Sequence, residues 1–364
     1  MKNLPFPVIS HLSDLEDKVS HKEEIRIKTE PNGFTVASYV MSDNKTFNDE
    51  YSRECRGITF DKNGDIASRS LHKFFNVNER DETNEENLKW NDIHCILDKL
   101  DGSMLSPVMV NGECTFKTKK SFTSDVANSC NEFVKTDTKY IAFSSFMLSE
   151  LNATPIFEYM SPDTRIVILC KHPAMKLLHI RNNISGEYYT RDQVQSLAKD
   201  FGIPVVNEVS HCFNSFSDII DECKTLEGVE GFIVQFNNGE MVKIKTLWYL
   251  RLHRAVSFLR ERDIALLVIE EEIDDIKSHL VETGVNLDKV NEIESRVLKQ
   301  INDIHREIIK ICIENGELSR KDFAAKFAKH ELFWLLMQAY LGQEANVKKF
   351  FLRNILKTYT LDSI

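Results

Sequence analysis

EGFIVQFNNGEMVKIKT, residues 230–246, holds two runs of apolar and β-branched residues, Phe232–Phe236 and Glu240–Thr246, on either side of Asn238-Gly239. Asn-Gly between such runs is the strongest short hairpin signal, because both residues tolerate the left-handed backbone that a tight turn needs. In the second run Val242 and Ile244 alternate with Lys243 and Lys245. The two-residue period of a strand puts both amines on one face and both apolar groups on the other. Paired strand lysines either blunt a solvent-facing sheet edge or meet a shared anion.

The same signature occurs twice upstream. Ile58–Phe60 and Asp65–Ala67 flank Asn63-Gly64, and Pro107–Val110 and Cys114–Thr118 flank Asn111-Gly112. Helical stretches near Ser124–Val134 and Arg191–Phe201 interrupt the strands. Strand pairs joined by short turns, with helices between them, predict an α+β domain built on antiparallel sheet. Beyond about residue 246 the character changes. All eight prolines lie at or before Pro204, and the last 119 residues hold only three glycines, at 284, 316 and 342. Apolar residues recur there at helical spacing: Ile269, Ile273, Ile276, Leu280, then Val290, Ile293, Val297, Ile301, Ile304, Ile308, Ile311. The glycines fall between these runs as helix stops. An all-helical domain of about four or five helices is expected, with the boundary at 248/249.

Composition narrows the class. The chain has 364 residues, 42% of them hydrophobic and 28% charged, as in soluble globular proteins of two ordinary domains. No purely apolar run exceeds the six residues of Ile264–Ile269, far too few to span a bilayer, and the first residues lack the charged and apolar regions of a signal peptide. Eight cysteines include no C-x-x-C pair and read as reduced thiols in a cytosolic protein, with a structural zinc site not expected. The net charge of −10 argues against a nucleic-acid binder. One stretch differs: between Arg320 and Lys357, eight Lys/Arg against three acids give +5. That is either a solvated helix face or a patch facing phosphates, with Lys348, Lys349 and Arg353 its densest part.

The remaining charged residues form an ordered set. Arg56 precedes Gly57 at the mouth of the first hairpin, and Lys73 precedes Phe74-Phe75. KLDG, 99–102, ends the apolar segment Ile93–Leu97, although a lysine is costly to bury unless something pairs or uses it. Lys117 and Lys119 share a face in FKTKKS, Glu158 is the lone acid of the strand IFEYM, and Glu230-Gly231 opens the strand that pairs with Lys243–Lys245. Singly, each has an ordinary reading as a turn, a wet face or a sheet edge.

In this order they resemble the covalent nucleotidyltransferases, the superfamily of DNA ligases, RNA ligases and mRNA capping enzymes. Within it, ECRGITF (54–60), ASRSLHKFFN (67–76), FEYMSPDTRIVI (157–168), the block Met175–Tyr188 and VKIKTLWY (242–249) are similar to the RNA ligases typified by the first RNA ligase of T-even bacteriophages. The likeness covers roughly residues 34–254. It implies an ATP-dependent RNA end-joining enzyme in which Lys99 attacks the α-phosphorus of ATP, AMP passes to an RNA 5′-phosphate, and a 3′-hydroxyl expels it. An attacking amine must first shed its proton, and a free lysine is only about 0.1% neutral near pH 7.5. Lys119, Lys243, Lys245 and a divalent cation, Mg²⁺ or Mn²⁺, are the charges implied to help. The resemblance further implies that Lys243 and Lys245 clamp the α-phosphate, and that Arg56 and Lys73 hold other phosphates. It puts Glu158 and Glu230 near ribose, lysine and metal, Gly102, Lys119, Gly231 and Tyr249 at the nucleotide, and Asp101 either there or orienting Lys99. Asp274 and Asp275 are candidates for a second metal, or an exposed acidic face. The implied substrate is tRNA broken in its anticodon loop, received from an end-healing kinase/phosphatase, in host cytoplasm during phage infection, with no membrane. A DNA ligase or capping enzyme would carry a small β-barrel after the K-x-K strand, where this chain reads as helical. A non-catalytic RNA-binding module is the other alternative, against which every expected charged position is filled.

Overall fold

All three hairpins form, but only one closes with the two-residue turn. In this computed structural model, Asn111 and Gly112 both have positive φ (52° and 87°). At the other two sites only the glycine does, Gly64 at 90° and Gly239 at 83°. Asp61 shapes the first of these longer turns, its carboxylate accepting from the Asn63 and Asp65 amides. The structure describes residues 6–40, 45–164, 168, 170–250, 261–270, 273, 277, 287–343 and 345–351. It divides into two compact units, residues 1–250 and 251–364.

The first unit is α+β, with three four-stranded sheets among the described residues. The first sheet runs β1 (Ile25–Thr29), β2 (Thr35–Tyr39), β3 (Arg56–Phe60), β4 (Ile66–Ser68). Its core packs Ala37, Ile58 and Phe60 against Leu15 and Val19 of α1 (Leu12–Val19), and α2 (Glu50–Glu54) leads into β3. The third sheet is ordered β5 (Phe75–Asn76), β12 (Met241–Lys245), β11 (Gly231–Phe236), β6 (Ile93–Lys99), with β5 parallel to β12 and the other pairs antiparallel. The second sheet is ordered β10 (Ala174–Asn182), β9 (Ala153–Met160), β7 (Ser103–Val110), β8 (Glu113–Lys117).

Each of the last two sheets has one helix-covered face, as the alternation requires. Val242, Ile244, Phe232 and Val234 share a core with Phe216, Ile219 and Cys223 of α6 (Phe216–Thr225). Phe157, Tyr159, Leu177 and Ile180 pack under α3 (Asp125–Thr136), α4 (Lys139–Glu150) and α5 (Arg191–Asp200). On the opposite faces Ile156 and Met104 of the second sheet meet Met241 and Ile233 of the third. A cleft opens between these two faces.

The second unit is helical where described: α7 (Glu261–Glu270), α8 (Asp288–Glu314), α9 (Arg320–Phe327), α10 (Phe333–Tyr340) and a turn over 347–351. Ile264, Ile269, Val290 and Val297 form one core, and Ile308, Phe323, Leu335 and Leu336 another. Gly316 and Gly342 follow the ends of α8 and α10. Among the described residues no helix is long and apolar enough to cross a membrane.

Candidate active site

β11 lies between β6 and β12, and Gly231 is the partner of Lys99 on one side and of Lys245 on the other. No other residue fits there. Its φ is +145°, and a Cβ would stand 2.0 Å from the Ile244 carbonyl oxygen. The glycine lets the strands close in and sets Glu230 against both lysines. Glu230 Oε1 is 2.7 Å from Lys99 Nζ and 2.9 Å from Lys245 Nζ. The carboxylate is buried, whereas each lysine side chain keeps about a fifth of its surface. Two positions along the same face, Ile233 separates Leu97 from Lys243. Period two thus delivers Lys99, Lys243 and Lys245 to one side of one sheet.

These residues line a cavity of about 240 Å³, with Glu158, Arg56 and Lys73. The Arg56 guanidinium sits 5.1 Å from the Phe74 ring centre and donates to the His72 carbonyl. Lys73 Nζ is ringed by Tyr39, Phe47 and Phe75 at 5.7, 5.4 and 5.0 Å. Lys119 Nζ stands 3.6 Å from the Tyr39 ring centre, so one phenol serves two cations. Burial pushes Lys243 down to about 7, helped by the charges of Lys73 and Arg56, and Lys119 to about 8, helped by Lys120 and Arg56. Lys73 is lowered too, mainly by burial. Crowded cations that hold their protons weakly form a pocket built for polyanions.

Glu158 is the acid of the opposite wall. Enclosure raises it to about 7, the nearby Glu230 adding to the rise and Lys99 opposing it. Among the described residues its carboxylate has no hydrogen bond or ion pair. A cleft carboxylate so placed fits a hard divalent cation, which takes one or two carboxylates and completes its shell with phosphate oxygens and water. Asp274 and Asp275 lie outside the described residues.

The KLDG turn is held from below. Tyr249 is buried, its hydroxyl donates to Asp101 Oδ1 at 2.7 Å, and its ring lies 4.9 Å from Lys245 Nζ. The other Asp101 oxygen accepts from the Ile168 amide. Gly102 leaves room for the crossing of β9, since a Cβ would meet the Tyr159 carbonyl oxygen at 2.6 Å.

Lys117 differs from its expected place beside Lys119. Its side chain is fully buried, and Nζ donates to the carbonyls of Gly57 (2.8 Å) and Thr118 (3.2 Å). Lys119 follows the end of β8 and escapes the alternation. Sequence reasoning also missed the support of Arg56. Glu54, two residues before it, is clamped by Arg69 (Nε to Oε2, 3.0 Å) and by Arg181 (2.8 and 2.6 Å), all three with at most 1% of their side chains exposed. Burial would raise Glu54, but the Arg181 and Arg69 charges outweigh it and hold the carboxyl at about 2. Acid and arginines stand in ECRG, ASRS and HIRN, whose meeting only the fold reveals. In the second unit Lys348 and Lys349 are exposed, and Arg353 lies outside the described residues.

The RNA ligase family model matches residues 54–249. A protein of Thermovibrio ammonificans with a provisional RNA ligase name is 31% identical over 299 residues, 80% of this chain and 76% of that one. RNA ligase 1 of bacteriophage TS2126 is 24% identical over 262 residues, 69% of this chain, which spans 64% of the phage protein's length. Among solved structures, an archaeal ATP-dependent RNA ligase covers 95% of this chain and 96% of its own at 13% identity, with a TM-score of 0.49. A Naegleria gruberi RNA ligase mutant with ATP and Mn covers 45% and 53% at 16% identity, with a TM-score of 0.36. Likeness this loose carries no argument about what the chain does.

Proposed function

This chain belongs to the RNA ligase family, and from that premise we propose that it joins RNA 5′-phosphate and 3′-hydroxyl ends at the expense of ATP, through a lysine–AMP intermediate. The observation that carries the reading is the buried carboxylate of Glu230 held between Lys99 and Lys245, two of the cations that line the cleft. Lys99 attacks the α-phosphorus; a P–N bond forms as the P–O bond to pyrophosphate breaks. The amine's proton needs an acceptor within hydrogen-bond reach, and Glu230 is the carboxylate at that distance. Lys245, paired with the same oxygen, stays fixed beside the reacting phosphorus, and Lys243, Lys73 and Arg56 receive the negative charge of the phosphates. Glu158 would hold a divalent cation, Mg²⁺ or Mn²⁺, that neutralises phosphate charge when bound. AMP then moves to an RNA 5′-phosphate, and the attack of a 3′-hydroxyl expels it.

The basic stretch of the second unit, with Arg320, Lys321, Lys326, Lys329, Lys348 and Lys349 exposed, suits an RNA backbone. We extend the proposal to broken tRNA, received from an end-healing kinase/phosphatase in an infected cytoplasm. The test is incubation with α-labelled ATP and Mg²⁺. An acid-labile AMP on the protein, lost in Lys99→Ala, is expected; an unlabelled wild type overturns the reading.

A further inference from the structure

β9 and β10 pair in antiparallel register except at one place. Leu177 faces Phe157 and His179 faces Ile156, so Leu178 is an extra residue. Plain alternation would send Leu177 and His179 to the same face of the sheet. The bulge breaks that pattern: Leu178 and His179 both line the cleft, and Leu177 and Ile180 both lie in the helix-covered core. Bulges beside functional sites commonly re-aim a side chain. The one re-aimed here is an imidazole.

His179 is 5% exposed, and its ring packs edge-on against Tyr188, with centroids 5.4 Å apart. Neither ring nitrogen has a hydrogen-bond partner among the described residues, and neither is sealed from the cleft. Burial, with Arg191, His72 and His94 nearby, lowers its pKa to about 3, so the ring is neutral and offers one donor and one acceptor. A buried polar side chain is ordinarily hydrogen-bonded, so one left open in a binding cleft marks a place for a ligand atom. Its cleft neighbours include Leu178, Val206, Ile233 and Met241. A neutral polar ring among apolar walls suits the edge of a heteroaromatic base; the phosphates have the cations.

We infer that His179, presented by the β10 bulge, hydrogen-bonds the 6-position substituent of the purine in this cleft. The inference rests on the lysine–AMP reading above. A neutral imidazole can serve as donor or acceptor by changing tautomer, so it separates a purine that bears a hydrogen-bonding group at position 6 from one that bears hydrogen.

The experiment compares ATP with purine riboside 5′-triphosphate as donors for covalent labelling of the full chain, as kcat/KM, in wild type, His179→Leu and His179→Asn. Wild type should prefer ATP by tenfold or more, equivalent to about 1.4 kcal/mol. His179→Leu should bring the preference within about threefold, through a higher KM for ATP at a saturating rate changed less than about threefold. His179→Asn, which keeps a donor and an acceptor, should restore part of it. If wild type is labelled by neither nucleotide, the lysine–AMP reading falls and takes this inference with it. If wild type is labelled equally by both, the inference falls alone and needs no folded variant to do so. It also falls if His179→Leu keeps the wild-type preference or weakens both nucleotides alike.

Discussion

Glu54→Gln should destabilise the first unit severely while touching no residue of the cleft. The substitution keeps the shape and removes the charge that Arg69 and Arg181 share. Breaking a buried ion pair from one side costs about 3–5 kcal/mol, because the remaining charges are left uncompensated. The carboxyl itself gives a second figure. Its displacement from 4.5 to about 2 corresponds to about 3 kcal/mol at 1.36 per tenfold change in proton affinity. The two agree. For a unit of this size, each kcal/mol moves Tm by about 2–4 °C, so a loss of roughly 6–20 °C is expected at pH 7. The pH dependence isolates the cause. A carboxyl lowered by folding contributes stability that is present above its unfolded value, 4.5, and lost as pH falls through about 2. Wild-type and Glu54→Gln melting curves should therefore differ fully at pH 6–7 and converge between pH 4.5 and 2. A difference under about 2 °C at pH 7, or one that keeps its full pH 7 size at pH 2.5, would refute the assignment of an ionised anchor.

Lys243→Ala should slow AMP attachment by orders of magnitude with Tm nearly unchanged, whereas Val242→Asp should unfold the sheet by putting a charge on its buried face; paired melting and single-turnover measurements compare them, and a Lys243→Ala protein that melts early reverses our assignment of faces. Glu158, raised to about 7, loses its charge below that pH. The half-saturating Mg²⁺ for labelling should rise about tenfold from pH 8 to 6, a dependence absent in Glu158→Gln and contradicted by a flat wild-type profile. Reversing Lys348 and Lys349 to Glu should lower RNA joining and its salt dependence while sparing AMP attachment; an equal loss in both steps would count against an RNA-facing role.

Short-range pattern carried much of this into the sequence. Asn-Gly turns and the alternation of Val242-Lys243-Ile244-Lys245 announced both the third sheet and its polar face, because a strand's faces follow from its own residues. The reading weakened wherever the decisive partner was remote. Lys117 obeys the same alternation as Lys243, yet it turns inward because the Gly57 carbonyl waits there. Glu54 and Arg181 stand 127 positions apart and reveal their pairing only in space. His179 was invisible for a different reason: one inserted residue in β10 shifts the period, and nothing local to MKLLHIRN marks where the insertion falls.

The charged groups of the cleft come from all three sheets: Arg56 from the first, Glu158 from the second, and Lys99, Lys243 and Lys245 from the third. No single hairpin or sheet contains all of them. Contacts so distant along the chain close late, since loop entropy must be overcome before they form. Partly folded chains would thus meet ATP without reacting, and attachment of the nucleotide to Lys99 would mark the molecules in which the last long-range pairing is complete. Labelling during refolding would then serve as a clock for that step.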